Sequence, residues 1–192
     1  MQHRREERKA RESSARRRSP KRLTTDRLAA MARSVALAEK IWRPLVQHDP
    51  AARWFLRLHR TPIIEIWLLT WTQEQGIELH DHGGASGAVL VVDGELTEHF
   101  TSLAASAQVW QAQLPRGYVR CFGTAHVHDL QNRGEGAATS IHVYSPALTS
   151  MTFYQRDRAG LLVPSRVERV DGGVRMAPAV AAHGGDDAQD DR

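Results

Sequence analysis

Cysteine is the scarcest reactive residue in this chain: Cys121 stands alone in 192 residues. No internal disulfide can form, so an apolar core must hold the fold, and a reducing compartment is compatible. A long apolar run is missing too. Nothing approaches the ~18 residues of a membrane-crossing helix. The start is basic, but no apolar stretch follows it as in a secretory leader. A cytoplasmic protein without a membrane partner is therefore expected. The body of the chain also lacks excess positive charge. The net charge is +4, yet residues 1–22 hold ten Lys/Arg against three Glu, a surplus of seven. The remainder is net −3. The basicity is a segment and not a property of the folded part. Such a segment has little to bury and repels itself, so residues 1–23 read as a disordered basic tail. It could meet nucleic acid, but a solvated extension is the simpler reading, and nucleic acid is not expected as a partner. Residues 171–192, rich in Gly, Ala and Asp, read as a flexible tail. Residues 24–170 remain as one domain, and a monomer is expected.

Periodicity organises that domain. Residues 24–47 read as a helix, with Thr25 or Asp26 capping its first amides. Leu28, Met31, Val35, Ala38, Trp42 and Leu45 form one apolar stripe, suited to the outside of a sheet. Pro44 should kink or end the helix. Short strand-like runs follow at 53–60, 63–72, 77–82, 87–93, 95–101, 107–114, 117–122, 126–131, 137–144, 150–156 and 161–170. Asp93-Gly94 marks a hairpin turn. Pro115, Gly117, Gly123, Gly134 and Gly136 punctuate the rest. Many short strands after one helical segment predict an all-β sandwich or barrel.

The polar residues inside these runs carry the chemistry. His80-Asp81-His82 places two imidazoles on one face of an extended strand, because side chains alternate with period 2. One metal ion could take both, and Asp81 points away. His126 and His128 share a face in the same manner, so either could supply a third nitrogen. In 137–146, Ser140, His142 and Tyr144 alternate on one face while Thr139, Ile141 and Val143 occupy the other. A hydroxyl, an imidazole and a phenol in a row suggest a hydrogen-bonded relay reaching the metal. Arg57, set among apolar residues, is a candidate two-point clamp for a carboxylate, with Arg60 as its competitor.

His80-x-His82, Gly87 seven residues before Gly94, Pro115-x-Gly117 and His128-x-x-x-Asn132 resemble the two cupin motifs. Cupins usually place a glutamate ligand a few residues after the histidine pair; Gly87 stands there. That missing acid, with HDHGG, HDLQN and SIHVYSP, is similar to the cysteine dioxygenase type I family in its bacterial form, over roughly residues 53–156. The resemblance implies a cupin (jelly-roll) barrel behind the N-terminal helical segment. It implies Fe(II) on His80, His82 and His128, and Arg57 holding the substrate carboxylate. Tyr144, linked to His142 and Ser140, would be the phenol beside the metal, and Ser145-Pro146 would be cis. The implied reaction joins L-cysteine and dioxygen into cysteine sulfinic acid, with 3-mercaptopropionate as a related thiol. Arginine rather than glutamine at position 57 favours cysteine. Imidazole ligands alone also suit zinc, copper and nickel, which leaves a cupin of another metal and activity as the alternative. Three departures stand out. Gly87 replaces the cysteine that family members of the mammalian type bond to the tyrosine. Met151 replaces a second cysteine near the pocket, and Phe55 replaces a tyrosine.

Overall fold

The computed structural model describes residues 22–104 and 108–170. The basic segment up to residue 21 and the segment 171–192 lie outside the described residues. Helix α1 (Thr25–Leu37) opens the described chain, followed by the short α2 (Glu39–Trp42) and a 3-10 turn at Arg43–Leu45. The N-cap is Thr24, one residue before the expected Thr25, and its side chain accepts from the Arg27 amide. A further difference from expectation is the break at Ala38, well before Pro44. Ala38 leaves helical geometry at φ −83°, ψ 47°. The chain then re-aims so that Trp42 packs inward, its Nε1 donating to the Ala36 carbonyl at 3.1 Å. Leu28 and Ala32 are fully buried, while Leu45 at the end of the expected stripe is exposed. No helix among the described residues is long and apolar enough to cross a membrane.

Among the described residues eleven strands follow: β1 (Phe55–Arg60), β2 (Glu65–Trp71), β3 (Gly76–His80), β4 (Ser86–Asp93), β5 (Glu95–Ser102), β6 (Trp110–Pro115), β7 (Val119–Phe122), β8 (His126–Gln131), β9 (Ala138–Ser145), β10 (Ser150–Arg156) and β11 (Leu162–Arg169). They form two antiparallel sheets. One has the order β1-β2-β9-β4-β7, the other β11-β10-β3-β8-β5-β6. The expected all-β cupin barrel with a leading helix is the observed architecture.

Two apolar clusters follow from the alternation of side chains. On β2 and β4, Ile66, Leu68, Ala88, Leu90 and Val92 join Ile141 and Val143 of β9 beneath Leu28, Ala32 and Trp42. Helix α1 thus covers the outer face of the first sheet. Trp67, Leu69, Trp71, Val89 and Val91 turn the other way and meet Leu96, Leu114 and Leu130 of the second sheet. Strand β2 is buried along its whole length, as its unbroken apolar run requires. Because Ile141 and Val143 take the outer face, Ser140, His142 and Tyr144 must point between the sheets.

Candidate metal centre

His80 ends β3, and His82 lies two residues further on in the loop, not in a strand running to residue 82 as expected. A register irregularity between Ile77 and His80 bends β3 against β8. Gly83 (φ 57°) and Gly84 (φ 84°) then turn the chain with left-handed backbone. Asp81 points away from the cavity, as predicted, and holds this turn. Its carboxylate accepts from the Gly83 amide at 2.8 Å and from the Tyr154 hydroxyl at 2.7 Å. His82 is thereby returned to the same space as His80.

The rings of His80, His82 and His128 form a near-equilateral triangle, with centroids 4.9, 4.9 and 5.0 Å apart. Each offers one nitrogen to a group whose atoms lie within 4.8 Å of one another, and all three residues are buried. Partners fix two of the three tautomers. His80 Nδ1 lies 2.7 Å from the Glu78 carbonyl, which only accepts, so Nδ1 carries the proton and Nε2 keeps its lone pair. His128 Nδ1 likewise donates to Glu98 Oε1 at 2.8 Å. His128 Nε2 and both nitrogens of His82 are buried without a hydrogen-bond partner among the described residues. Burial, and then the neighbouring histidines, hold His80 and His82 well below the ordinary imidazole value. Neutral rings with convergent, unpartnered lone pairs are what a cation requires of imidazole ligands. The residues present therefore fit a three-histidine metal site.

Of the two candidates for the third nitrogen, the structure places His128 in this triangle. His126 instead sits half-buried outside it, its Nε2 3.0 Å from Glu98 Oε1. Glu98, which the sequence reading did not single out, is fully buried between both histidines. Burial pushes its carboxyl up, but the hydrogen bonds from His126 and His128, with Arg120 nearby, outweigh that and hold it at about 2. Arg120 Nε approaches Glu98 Oε2 to 2.7 Å, off the N–H axis, as an ion contact and not an aligned hydrogen bond. Asn132 is structural. It ties the end of β8 to the Trp71 and Gly136 carbonyls at 3.0 and 2.8 Å.

The opposite sheet supplies the relay. Tyr144 Oη lies 3.0 Å from His142 Nδ1, and His142 Nε2 lies 2.9 Å from Ser140 Oγ. One further member was missed: Trp71 Nε1 donates to Ser140 Oγ at 2.9 Å. An indole N–H can only donate, which gives the chain a direction. If Ser140 passes its own proton to His142 Nε2, then His142 Nδ1–H donates to Tyr144, and the Tyr144 proton is free to face the cavity. The reverse order would strand the Ser140 proton in a fully buried place. Burial keeps His142 neutral, and burial likewise raises the Tyr144 phenol above its ordinary value. Tyr144 is thus a protonated donor whose ring stands 5.1 Å from that of His82.

Gly87 is a packing requirement. A Cβ there would come within 2.3 Å of Phe122 Cζ and 3.1 Å of Tyr144 Cδ1. Phe122 also stacks on His82 at 4.7 Å, so its ring fills the space beside Tyr144. Cys121 is exposed on the outer side of the first sheet, with Sγ near the Thr25 carbonyl. The Ser145-Pro146 bond is cis.

The arginines divide differently from expectation. Arg57 and Arg60 both approach Glu65 Oε1, at 3.5 and 2.6 Å. Glu65 is fully buried, and its second oxygen accepts from the Leu148 amide at 2.8 Å. Arg60 also donates to the Leu148 carbonyl at 3.0 Å. Arg57 lies over Trp67, 5.4 Å from the ring centre. Both candidate clamps therefore share an internal counter-ion.

Two facing antiparallel sheets, one bringing three histidines to a point and the other a directed phenol, make a cupin with a group suited to hold a metal. A family model described as cysteine dioxygenase type I matches residues 19–157. The chain belongs to the cysteine dioxygenase type I family. It is also similar to a solved structure from Thermus thermophilus, with 16% identity, TM-score 0.48, and 54% of this chain and 92% of that chain covered. A Klebsiella pneumoniae protein with a double-stranded beta-helix domain shows 16% identity and TM-score 0.49, over 59% of this chain and 94% of that one. Oxalate oxidase in complex with glycolate shows 16% identity and TM-score 0.48, over 55% and 56%.

Proposed function

We propose that this protein is a thiol dioxygenase that converts L-cysteine and dioxygen into cysteine sulfinic acid. In the balanced reaction R–SH + O2 → R–SO2H, both oxygen atoms pass to sulfur, which is oxidised by four electrons as dioxygen is reduced by four. The observation that carries this reading is the convergence of unpartnered histidine nitrogens opposite the Tyr144 phenol, within a chain of this family. His80, His82 and His128 would hold the metal, proposed as Fe(II). When bound, it would keep the substrate thiol deprotonated and supply the redox chemistry.

The chain's own residues do the rest. Three uncharged ligands, with Gly87 where a carboxylate would otherwise stand, leave the ion's positive charge for an anionic thiolate. Tyr144 Oη–H donates a hydrogen bond into the cavity and marks where negative charge on substrate or oxygen is stabilised. His142 and Ser140 hold that proton in place. The interior apolar walls, Trp67, Trp71 and Phe122 among them, keep bulk water from the reacting sulfur. Arginine on the β1 side matches a substrate carboxylate.

The test is oxygen consumption by the full-length protein with L-cysteine, alongside 3-mercaptopropionate, with metal content measured on the same preparation. The expected result is iron near one per chain and a higher kcat/KM for L-cysteine. Preference for 3-mercaptopropionate would move the substrate, and full metal loading of a His80→Ala variant would refute the ligand set. Tyr144→Phe should lower kcat ~10²-fold with little change in KM, the size of a lost proton-donating contact.

A further inference from the structure

The three histidines of the candidate metal site are not held alike. Both ring nitrogens of His82 are buried without a hydrogen-bond partner among the described residues. His80 Nδ1 meets a neutral acceptor, the Glu78 carbonyl, at 2.7 Å. His128 Nδ1 meets an acid, Glu98 Oε1, at 2.8 Å. Strand β5 pairs with β8 so that Phe100 stands opposite His128, and Glu98 lies two residues along on the same face. Glu98 is fully buried. The groups set against it all donate or carry positive charge. Its Oε1 also lies 3.0 Å from His126 Nε2, and Arg120 Nε stands 2.7 Å from its Oε2. Both of these neighbours are themselves braced. The Arg120 guanidinium rests 3.9 Å from the Phe100 ring centre, and His126 stacks on Phe122 and on Phe100.

A carboxylate stripped of water is unfavourable unless its partners replace the lost hydration. Arg120 could meet an acid at the surface, where both would keep their water at little cost. The chain instead carries the acid inward, to the one imidazole of the triangle whose far nitrogen is bare and whose near nitrogen needs an acceptor. Two consequences follow for His128. A charge-assisted hydrogen bond holds a ring more firmly than a bond to a neutral carbonyl, so its Nε2 is the best aimed of the three lone pairs. Negative charge behind the ring also makes Nε2 a better donor to a cation. Gly87 leaves the place of a carboxylate ligand empty, yet an acid's charge is kept one imidazole away, where it occupies no coordination position.

We propose that Glu98 is the positioning residue of the metal site: it locks His128 with Nδ1 protonated and Nε2 turned inward, and it lends the site negative charge without becoming a ligand. Arg120 and His126 serve Glu98 and not the metal. The second cluster with ligand-like spacing, Glu98, His126 and His128, is then an outer layer of the first site and not a second ion site. The inference rests on the three-histidine metal site of the dioxygenase reading, and not on its substrate.

The test uses the full-length, metal-free protein and cobalt(II) alone, titrated against a competing chelator with no thiol present. The double variant Glu98→Met/Arg120→Met removes both charges at similar volume, so no buried charge is left unpaired. It should keep a urea midpoint near that of the wild type and bind cobalt(II) about 10–100-fold more weakly. Arg120→Met alone leaves the acid on His128. It should lose stability, because a buried charge is then uncompensated, and keep an affinity close to the wild type. Nitrogen-15 shifts of the metal-free proteins add a readout that a merely structural ion pair would not move. His128 should show the Nδ1–H form in the wild type and in Arg120→Met, and a tautomer mixture in the double variant. Wild-type affinity in the double variant, an equal loss in Arg120→Met, or an unchanged His128 tautomer overturns the proposal. Should the double variant not fold, the other two proteins decide: the Nδ1–H form with retained affinity in Arg120→Met supports the proposal, and an Nε2–H form in either overturns it. Two cobalt(II) ions per chain, the second lost in His126→Phe, would make the outer cluster an ion site and overturn it as well. Binding of one cobalt(II) that depends on Glu98, with no thiol oxidised by the iron-loaded protein, would sink the dioxygenase reading alone. A wild type that binds no cobalt(II) would sink both.

Discussion

Tyr144 owes its direction to a residue three hydrogen bonds away. Trp71 can only donate, Ser140 has one proton, and His142 is neutral, so the Tyr144 proton is left for the cavity. Trp71→Phe keeps an aromatic ring but removes the donor together with the second ring of the indole, at a fully buried position. It should cost about 2–4 kcal/mol, the cavity adding to the unsatisfied Ser140 oxygen, and lower kcat several-fold, with KM little changed. A structural loss alone would leave His142 untouched. Nitrogen-15 shifts should instead show it moving from the Nδ1–H form to a tautomer mixture. An unchanged tautomer would mean that Ser140 orders the relay by itself. Ser140, His142 and Tyr144 were legible in the sequence because they alternate along a single strand with an apolar opposite face. Trp71 was not. It sits on a strand whose both faces are apolar, and its contact with Ser140 exists only because β2 pairs with β9 two residues from that register. Glu98 and Phe122 were missed for the same reason, since each meets the histidines from another strand and not along one. The surroundings of the two candidate arginines were not legible either: nothing in the spacing of β1 reveals that Glu65 is buried beside Arg57 and Arg60.

At the scale of elements, strand positions followed the alternation of apolar residues closely, and the ends did not. His82 falls outside β3 because the bulge and two left-handed glycines turn the chain after His80. A period-2 argument cannot see such a turn, although it placed both rings on the right side. The helix was legible as a stripe but not as two pieces, because the break at Ala38 serves the burial of Trp42 and lacks a local breaker residue. Helix α1 covers the outer face of the sheet that bears the relay, with the site on the inner face. Its packing should therefore stabilise without tuning the chemistry. Leu28 is fully buried between α1 and β4. Leu28→Ala should cost about 2–5 kcal/mol by transfer and cavity terms, read as a lower urea midpoint. kcat/KM measured well below that midpoint should stay within twofold. A larger kinetic loss would mean that the helix sets the position of β9.

The whole molecule divides its labour by sheet. His80 and His128 come from β3 and β8 of the six-stranded sheet and His82 from the loop after β3, whereas the relay and Trp71 belong to the five-stranded one. Removing the metal with a chelator should thus loosen one side more than the other. Hydrogen exchange is expected to quicken in residues 76–84 and 126–131 and to change little in β2 and β9. Equal loss on both sheets would show that the ion ties them together. Acid should act on the molecule in the same direction through several groups at once. His80, His82 and His142 are held neutral in the folded chain, mainly by burial, while in the unfolded chain they titrate near their ordinary value of about 6.5. Below that pH the unfolded chain binds protons that the folded one refuses, so stability is lost as pH falls. Each such proton contributes about 1.4 kcal/mol per pH unit, and three fully neutral histidines reach an upper limit of about 4 kcal/mol by pH 5.5. Glu98 adds a second, lower window. Its carboxyl stays ionised down to about 2 when folded and takes up a proton near 4.5 when unfolded, so its contribution is lost between those values. Stability read from urea midpoints of the metal-free protein at pH 7.5, 6.5 and 5.5 should fall by about 1 kcal/mol over the first interval and about 3 kcal/mol over the second. A flat series would mean that His80, His82 and His142 take up protons within the fold, and neutral nitrogens at His80 and His82 could then no longer support the metal site.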